Sequence, residues 1–408
     1  MESSLGRDFW RLWIASSLSN LADGVLKVAL PLVAIGYTRS PALIAGLTFA
    51  FTLPWLVFAL PAGVLADRFD RRRAMLLANI TRAALLTGLT LLVAFDAGSI
   101  WVLYVVVFLV GITETVHDTA AQSIVPQLVD RDHLSVANSR LYGAELTANQ
   151  FVGPPVAGLL AAAGATVAFG APAGLWIIAV AAMWLVRGNY RPAREQRTTL
   201  RADVVEGLRF LWRLRLLRTF AISVGIFNFA SNAAMSVLVL FAVGPQSSLG
   251  LSEQEFGLLL TTMALGSLAG SFAASWVQRV LGRAKALAAC YLLGAVLIGM
   301  PALTTNVWVI GAGSFAGGIG IVVSNVIMVS LRQRITPDRL LGRVNSGYRL
   351  VAWGTMPLGA AAGGVLAQFV GLRAVFGIMG VLALTLLAVV ARVSDAAMDE
   401  AERVGANA

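Results

Sequence analysis

Apolar segments about as long as a membrane-spanning helix recur along the whole chain. A helix needs about 20 apolar residues to cross the hydrocarbon core of a bilayer, and segments of this kind follow one another through all 408 residues. Hydrophobic residues make up 58% of the sequence and charged residues only 13%. A soluble protein cannot bury that much apolar surface, and backbone groups in lipid must form their hydrogen bonds within the segment. The sequence therefore predicts an all-α polytopic membrane protein with twelve transmembrane helices, near residues 12–37, 42–66, 74–95, 100–124, 139–163, 165–186, 217–243, 254–277, 285–303, 307–331, 345–369 and 372–392.

The basic residues lie mainly in the gaps on one side of these segments. The chain has 31 Lys and Arg residues and a formal net charge of +10, which in a soluble protein would suggest nucleic acid binding. Here the positive-inside rule applies instead. With the N-terminus inside, Arg39 and Arg373 fall in outer gaps, whereas Lys27 and Arg82 fall within spans. We therefore predict no nucleic acid partner, and a multi-pass protein of the bacterial inner membrane with both termini in the cytoplasm.

The sequence indicates two similar halves joined by a long basic loop. NLADG at residues 20–24 aligns with NFASN at 228–232, and GITETVHD at 111–118 aligns with GIGIVVSN at 318–325, at a nearly constant offset. Internal repeats of this kind are common in transporters. We predict an N-terminal six-helix bundle, a cytoplasmic central loop, a C-terminal six-helix bundle and a cytoplasmic tail, at residues 1–186, 187–216, 217–393 and 394–408.

The loop after the second predicted span carries an acidic and basic motif. Residues 63–73 read GVLADRFDRRR, in which a small residue is followed four positions later by an acid and then by basic residues. This pattern resembles the conserved inner-loop motif of the major facilitator superfamily, although Asp70 stands where a glycine is common. The matching loop of the second half, SWVQRVLGRAKAL, keeps basic residues but lacks the acid.

Further segments of the first half extend this likeness. They include HDTAAQSIVPQLV in the fourth span and LSVANSRLYGAELTANQFVGPPVAGLL through the fifth. Together they resemble the branch of the superfamily that contains enterobactin exporters and macrolide efflux proteins, and the resemblance covers nearly the whole chain. Gly153, Pro154 and Gly158 are similar to the antiporter motif of the superfamily, which is incomplete here because Arg140 and Asn149 stand where it has glycines.

The resemblance implies how such a chain works. The first, fourth, seventh and tenth spans would line a central cavity, and two rigid halves would rock around it. The acid of the loop motif would pair with a neighbouring helix end and basic side chains, and so latch the halves together at the inner membrane edge. We assign this conformational latch to Gly63, Asp67, Arg68, Arg71 and Arg72, with Arg349 as the candidate partner of Asp67.

Acidic residues lie inside the first and fourth spans. A charged group is costly there, so it faces the protein interior, finds a partner or takes up protons. Asp23 lies near the middle of the first span, with Lys27 one turn further along the same face. Two interpretations stay open: a structural Asp23–Lys27 pair, or a direct part in proton or substrate binding. Glu114 and Asp118 are one turn apart on the fourth span, where two acids can influence each other's proton exchange.

A buried ion-pair network is expected around the third span. Arg82 lies there at a depth similar to Asp118 and to Glu145 in the fifth span, and we expect it to pair with one of these two acids, because an isolated buried charge is costly. The network either serves proton coupling or only braces the first half. His117 either relays protons or packs in the interior. We assign proton coupling to Asp23, Arg82, Glu114, Asp118 and Glu145.

The corresponding positions of the second half are neutral. Ser231, Ile321, Asn325 and Ala352 correspond to Asp23, Glu114, Asp118 and Glu145. We hypothesise that the first half carries proton coupling and that amides of the second half bind substrate. The alternative is that these amides only join helices, and that Trp353 only packs or faces lipid. The substrate-binding candidates are Asn20, Asn228, Asn232, Asn325 and Trp353.

These features predict a secondary active transporter that exports a small amphiphilic compound, such as a drug, siderophore or secondary metabolite, in exchange for protons by alternating access. One alternative is an importer or facilitator of a polar metabolite, and another is a membrane-embedded enzyme. The sequence contains no GxxxxGK[ST] phosphate loop, which argues against ATP-driven transport within this chain. Its two histidines and one cysteine form no metal-ligand cluster. We expect no metal, no cofactor and a monomer.

Overall fold

The computed structural model describes residues 5–58, 62, 69–130, 133–188, 190 and 200–406. Apart from an isolated bridge between Val243 and Leu251, the described residues form helices joined by turns and short irregular segments. In chain order the helices are α1 (Arg7–Ala34), α2 (Pro41–Val57), α3 (Arg71–Ala94), α4 (Ile100–Leu128), α5 (Leu134–Leu146), α6 (Gly153–Ala162), α7 (Ala165–Trp184), α8 (Leu200–Arg213), α9 (Arg215–Ala242), α10 (Glu253–Leu281), α11 (Arg283–Leu303), α12 (Val307–Ile335), α13 (Asp338–Trp353), α14 (Thr355–Val370), α15 (Leu372–Val390) and α16 (Asp395–Ala406).

Ten helical segments of the described residues are long and apolar enough to cross a membrane, where twelve spans are predicted. The two differences are the second and fifth predicted spans. Helix α2 has only 17 residues, and most of the residues that follow it lie outside the described part. The fifth span is divided into α5, the π-helical turn Thr147–Val152 and α6. Pro154 and Pro155 at the start of α6 lack an N–H group and crowd the preceding turn, which favours a local change of helix type.

Contacts between helix termini define two ends of the bundle. At one end, Arg72 at the start of α3 donates a 2.9 Å hydrogen bond to the carbonyl of Trp184 at the end of α7. We call this the arginine-rich end, because α1, α3, α9 and α11 all begin there with an arginine. At the opposite, arginine-poor end, the start of α2 packs closely against Gly364 of α14.

Apolar side chains fill the interior and also cover much of the outer surface. Phe9, Trp176 and Phe376 are fully buried, whereas Trp308 and Phe369 are 88% and 82% exposed. Soluble monomers rarely expose large apolar patches. The outer surface therefore suits a bilayer, as the apolar segments predict.

The predicted central loop contains a helix. Helix α8 packs against α13, where Glu206 forms an ion pair with Arg343 and Gly207 lies against the backbone of Arg343. A methyl group at position 207 would collide with that backbone, so glycine allows the close approach. The junction between the halves is thus attached to the second half.

The predicted tail also contains a helix, α16, which is bound to the start of α11. Arg283 forms ion pairs with Asp399 and Glu402 of α16. Asp395 accepts a 2.9 Å hydrogen bond from the backbone N–H of Ala284. The N-cap residue of α11 is Gly282, at a φ of 76° and without a side chain to cap the helix. Asp395 therefore supplies the cap from the other end of the second half.

Candidate functional site

A buried ion pair joins α1 to α3. The Nη1 atom of Arg82 lies 3.3 Å from Oδ2 of Asp23, and the two side chains are 0% and 4% exposed. Arg82 also donates to the hydroxyl groups of Ser19 at 3.1 Å and Thr113 at 3.3 Å. Its guanidinium lies 5.6 Å from the ring centroid of Trp176 on α7. Four helices of the first half therefore meet at one arginine.

The prediction that Arg82 pairs with Asp118 or Glu145 was wrong about the partner. A similar depth in the membrane is necessary for contact, but the two side chains must also face one another. Asp23 faces α3, whereas Asp118 bonds to His117, with 3.2 Å between Oδ1 and Nδ1. Sequence reasoning also missed Ser19 and Trp176. Ser19 lies one turn before Asp23 on the same face and could have been found, whereas no signal pointed to Trp176.

A second ion pair joins α1 to α4. The Nζ atom of Lys27 lies 3.1 Å from Oε1 of Glu114, whose side chain is 7% exposed, whereas that of Lys27 is 41% exposed. Lys27 also lies 5.7 Å from the ring centroid of Phe51 on α2. The proposed Asp23–Lys27 pair is therefore not formed: each residue pairs with a residue of another helix. Side chains one turn apart on a helix point in the same direction, so a side chain of a facing helix is better placed to pair with either of them.

Each ion pair leaves polar atoms without a hydrogen bond among the described residues. Oδ1 of Asp23, Oε2 of Glu114 and Nη2 of Arg82 are buried and unbonded there. An unsatisfied buried polar atom costs about 1–3 kcal/mol, and more when it is charged. These unbonded atoms therefore lower the stability that the two buried ion pairs provide.

A cavity of about 280 Å³ opens beside these pairs. It is lined by Asn20 of α1, His117 and Asp118 of α4, and Glu145 of α5. Asn20 accepts a 3.0 Å hydrogen bond from the amide of Asn149 in the π-helical turn. Buried Nε2 of His117 has no hydrogen bond among the described residues. The structure thus brings three predicted candidates, Asn20, Asp118 and Glu145, to one cavity.

A cavity of about 190 Å³ lies in the second half. It is lined by Asn228 of α9, Asn325 of α12 and Trp353 of α13, together with apolar and aromatic side chains. The amide of Asn228 donates to the carbonyl of Ala352 at 2.7 Å, and Asn232 donates to the carbonyl of Asn228 at 3.0 Å. Asn228 therefore joins two helices and also borders the cavity, whereas Asn232 does not line it.

Aromatic rings connect the halves at the edge of the second cavity, which Trp353 lines. Trp55 of α2 and Trp353 of α13 meet edge to face, with ring centroids 5.9 Å apart. The guanidinium of Arg349 lies 4.3 Å from the ring centroid of Trp353 and 5.9 Å from that of Trp55. Its charge is also attracted by Asp118 and Glu145 across the interface.

The predicted latch falls partly outside the described residues, which exclude Gly63, Asp67 and Arg68. Through their side chains, two other members of the motif form hydrogen bonds with the first half. Arg71 donates to the carbonyl of Ser123 on α4 at 2.7 Å, and Arg72 donates to that of Trp184. Arg349 contacts aromatic rings, as described above. The pairing of Asp67 with Arg349 stays a prediction.

The halves pack tightly at the arginine-poor end. Gly158 of α6 lies against the backbone of Glu253 at the start of α10, and Gly257 of α10 lies against the carbonyl of Pro154. Added Cβ atoms would collide with the opposite backbone at both places. Pro154 and Gly158 of the antiporter-like motif therefore belong to the surface by which α6 packs on α10, whereas Gly153 of the same motif lies against Gly24 of α1. Arg39 adds a 3.3 Å hydrogen bond to the carbonyl of Val243 across the same end.

The described residues contain no group of three or more His, Cys, Asp or Glu side chains able to hold a metal ion. The polar groups of the site are carboxylates, amides, hydroxyls, cations and the imidazole of His117, which suit proton exchange and hydrogen bonding to a small molecule. They do not include an activated nucleophile of the kind that covalent catalysis requires.

Residues 5–408 match the family model described as Transmembrane secretion effector, labelled MFS_3. The chain is 30% identical over 395 residues to the multidrug efflux pump Tap of Mycolicibacterium fortuitum, covering 92% of this chain and 93% of that protein. It is 27% identical over 342 residues to the enterobactin exporter EntS of Shigella boydii, covering 83% and 80% respectively.

Two solved structures show a similar fold. A mutant form of the nucleoside transporter NupG matches with a TM-score of 0.76 and 10% identity, covering 94% of this chain and 99% of the other. A bacterial homologue of the iron transporter ferroportin, in an inward-facing state, matches with a TM-score of 0.67 and 16% identity, covering 98% and 100%. At these identities the likeness concerns the fold alone.

Proposed function

The chain belongs to the transmembrane secretion effector family of the major facilitator superfamily, and on this premise we propose that it exports a small amphiphilic compound in exchange for protons. Membership makes it a transporter rather than an enzyme. The direction follows the relatives Tap and EntS, whose names describe an efflux pump and an exporter. Candidate substrates are a drug, a siderophore or a secondary metabolite.

The proposed architecture has twelve spans in two six-helix halves, at residues 1–186 and 217–393, with residues 187–216 and 394–408 in the cytoplasm. The spans beyond the ten apolar segments are α2 with the residues after it, and α5 with α6. In this arrangement the arginine-rich end faces the cytoplasm of a bacterium, as the positive-inside rule favours, and both termini lie there. The protein works as a monomer, since both cavities lie within one chain.

The proposal of proton coupling rests on two ion pairs inside the first half, Arg82–Asp23 and Lys27–Glu114. A proton on either acid removes its negative charge and weakens the attraction between α1 and its neighbour. Each acid has an unbonded buried oxygen that can hold this proton. Asp118 and Glu145 line the first cavity, and in this proposal they pass protons between the cavity and the buried pairs.

Substrate binds between the two cavities in this proposal. Asn20 borders the first cavity, and Asn228, Asn325 and Trp353 border the second. Asn232, one turn from Asn228, completes the amide surface of α9 after a rearrangement. The edge-to-face rings of Trp55 and Trp353, at the edge of the second cavity, offer an apolar surface to the body of an amphiphile. Hydrogen bonds from the amides then orient its polar groups.

Alternating access moves the substrate. Close contacts of Gly158 and Gly257 seal the arginine-poor end, so the conformation described here is closed toward the outside. In the opposite conformation these glycine contacts separate. The motif of Gly63, Asp67, Arg68, Arg71 and Arg72, with Arg349, then latches the cytoplasmic end.

The proposal is tested in liposomes with an acidic lumen that contain the purified protein. A fluorescent amphiphile such as ethidium is expected to enter the lumen while protons leave, and a protonophore should stop both fluxes. Asp23→Asn and Glu114→Gln should each lose most of the gradient-driven uptake. Asp130→Asn is the matched control, because Asp130 is an exposed loop acid without an ion pair among the described residues. Proton exchange would be rejected if ethidium uptake did not depend on the pH gradient, or if Asp23→Asn and Glu114→Gln both kept gradient-driven uptake.

A further inference from the structure

The largest cavity described here lies outside the proposed transport site, at the arginine-rich end of the second half. It has a volume of about 520 Å³ and is bordered by α8, the start of α9, the end of α12, the end of α15 and α16. We call it the interfacial groove. Its walls are mainly apolar, formed by Phe210, Leu214, Leu216, Ile335, Val389, Val393, Ala397 and Ala401.

The groove lies at the level where membrane helices leave the hydrocarbon. Helix α9 begins at Arg215, α12 ends at Ile335 and α15 ends at Val390, and all three termini border it or lie within a residue of its lining. Helices α8 and α16 cover it from the polar side. Phospholipid headgroups occupy this depth in a bilayer, with acyl chains just below. An apolar groove with a polar upper edge therefore matches a phospholipid molecule, which has apolar acyl chains below a polar headgroup.

The charges of the groove favour an anion. Arg215 and Arg392 line it, both are exposed, and neither forms an ion pair with another described residue. The acid in the lining, Glu400, is paired with Arg403 at 2.8 Å. The groove thus presents two uncompensated guanidinium groups beside an apolar surface. Guanidinium groups bind phosphate well because their N–H donors match its oxygens.

The outer wall of the groove is fixed in position. Helix α16 is held by the ion pairs of Arg283 with Asp399 and Glu402 and by the Asp395 cap on α11. Arg334 at the end of α12 adds an ion pair to Glu402 at 3.5 Å. These contacts fix the position of α16, whose Ala397 and Ala401 form one wall of the groove.

We propose that the interfacial groove binds one anionic phospholipid of the cytoplasmic leaflet, with its phosphate between Arg215 and Arg392 and an acyl chain along the apolar floor. The lipid joins α8 to α15 and α16, and so connects the segment between the halves to the second half. Clusters of basic residues at the cytoplasmic side of membrane helices attract anionic headgroups at about 1 kcal/mol per residue.

Native mass spectrometry of the delipidated full-length protein in detergent tests this site. One molecule of phosphatidylglycerol is expected to bind per protein. Its affinity should be higher than that of phosphatidylcholine with the same acyl chains. The variant Arg215→Gln/Arg392→Gln should weaken phosphatidylglycerol binding about tenfold or more. Arg7→Gln/Arg279→Gln is the matched control, because it removes the same charge at the same end, from exposed arginines outside the groove, and it should bind as the wild type does.

A second variant tests the apolar part. Ala397→Trp adds a ring to the groove wall and should reduce binding of phosphatidylglycerol while leaving both arginines in place. The proposal is overturned if the arginine pair variant binds as tightly as the control variant, or if phosphatidylcholine binds as tightly as phosphatidylglycerol. It is also overturned if soluble glycerol phosphate displaces the lipid at equal concentration, because the groove would then bind a free phosphate rather than a lipid.

Discussion

The two halves of the protein differ in how they bury polar groups. The first half uses full charges: Arg82 and Asp23 are both buried, and the buried carboxylate of Glu114 pairs with the partly exposed Lys27. The second half has neutral residues at the matching positions, such as Ser231 for Asp23, and joins its helices with amide hydrogen bonds, such as that from Asn228 to the carbonyl of Ala352. A buried charge must keep its partner, whereas an amide that loses one hydrogen bond costs much less. We therefore expect adding or removing a proton to have a larger structural effect in the first half than in the second.

The largest effect is expected from Arg82→Met, which leaves the Asp23 carboxylate buried without its cation. Breaking a buried pair from one side typically costs about 3–5 kcal/mol. Thermal unfolding of the detergent-solubilised protein should show a large loss of stability. Arg82→Met/Asp23→Leu should recover most of it, because no buried charge is left, but should not recover transport. Arg373→Met removes an exposed arginine and should change nothing. If Arg82→Met is as stable as Arg373→Met, the Arg82–Asp23 pair does not stabilise the first half.

A smaller and asymmetric effect is expected at the second ion pair. Lys27→Met leaves Glu114, which is 7% exposed, without a cation, whereas Glu114→Gln leaves Lys27, which is 41% exposed, in contact with water. Lys27→Met should therefore cost about 2 kcal/mol and Glu114→Gln about 1 kcal/mol or less. The same unfolding measurement compares them. Equal costs would show that burial does not decide the strength of this pair.

The halves also differ in how they cap the helix that follows the motif loop. In the first half, Asp70 caps α3 from the adjacent position, by accepting from Arg73 N at 2.9 Å. In the second half, Asp395 caps α11 from the tail. Alanine at either position should cost about 1 kcal/mol. Hydrogen exchange should locate the loss in α3 for Asp70→Ala, but in both α11 and α16 for Asp395→Ala. Unchanged exchange in α16 would mean that Asp395 does not hold the tail.

A similarly small effect on stability is expected in the neutral half. Asn228→Ala removes one partly buried hydrogen bond to the carbonyl of Ala352 and should cost about 0.5–1.5 kcal/mol. If Asn228 also binds substrate, the variant should weaken ethidium binding by more than Asn232→Ala does, because Asn228 lines the second cavity. Equal ethidium affinities for the two variants would support the alternative that these amides only join helices.

Much of the fold could be predicted from the sequence, because the length of an apolar segment and the side on which arginines lie are local properties. The break in the fifth span was harder to predict, because a π-helical turn at Thr147–Val152 changes neither composition nor length noticeably. The helices at residues 200–213 and 395–406 were missed for the opposite reason. They are polar enough to read as loop and tail, and contacts with α13 and α11 stabilise them.

The sequence by itself determined that this is an all-α membrane protein and that the charges within its spans concentrate in the first half. Only the tertiary structure decided which charges meet. Asp23 and Arg82 are 59 residues apart in the chain, and Lys27 and Glu114 are 87 apart. Helical periodicity fixes the face on which a side chain lies, but the packing of several helices fixes what that face meets. For this reason, Asp23 and Lys27 share a face of α1 and still pair with different helices.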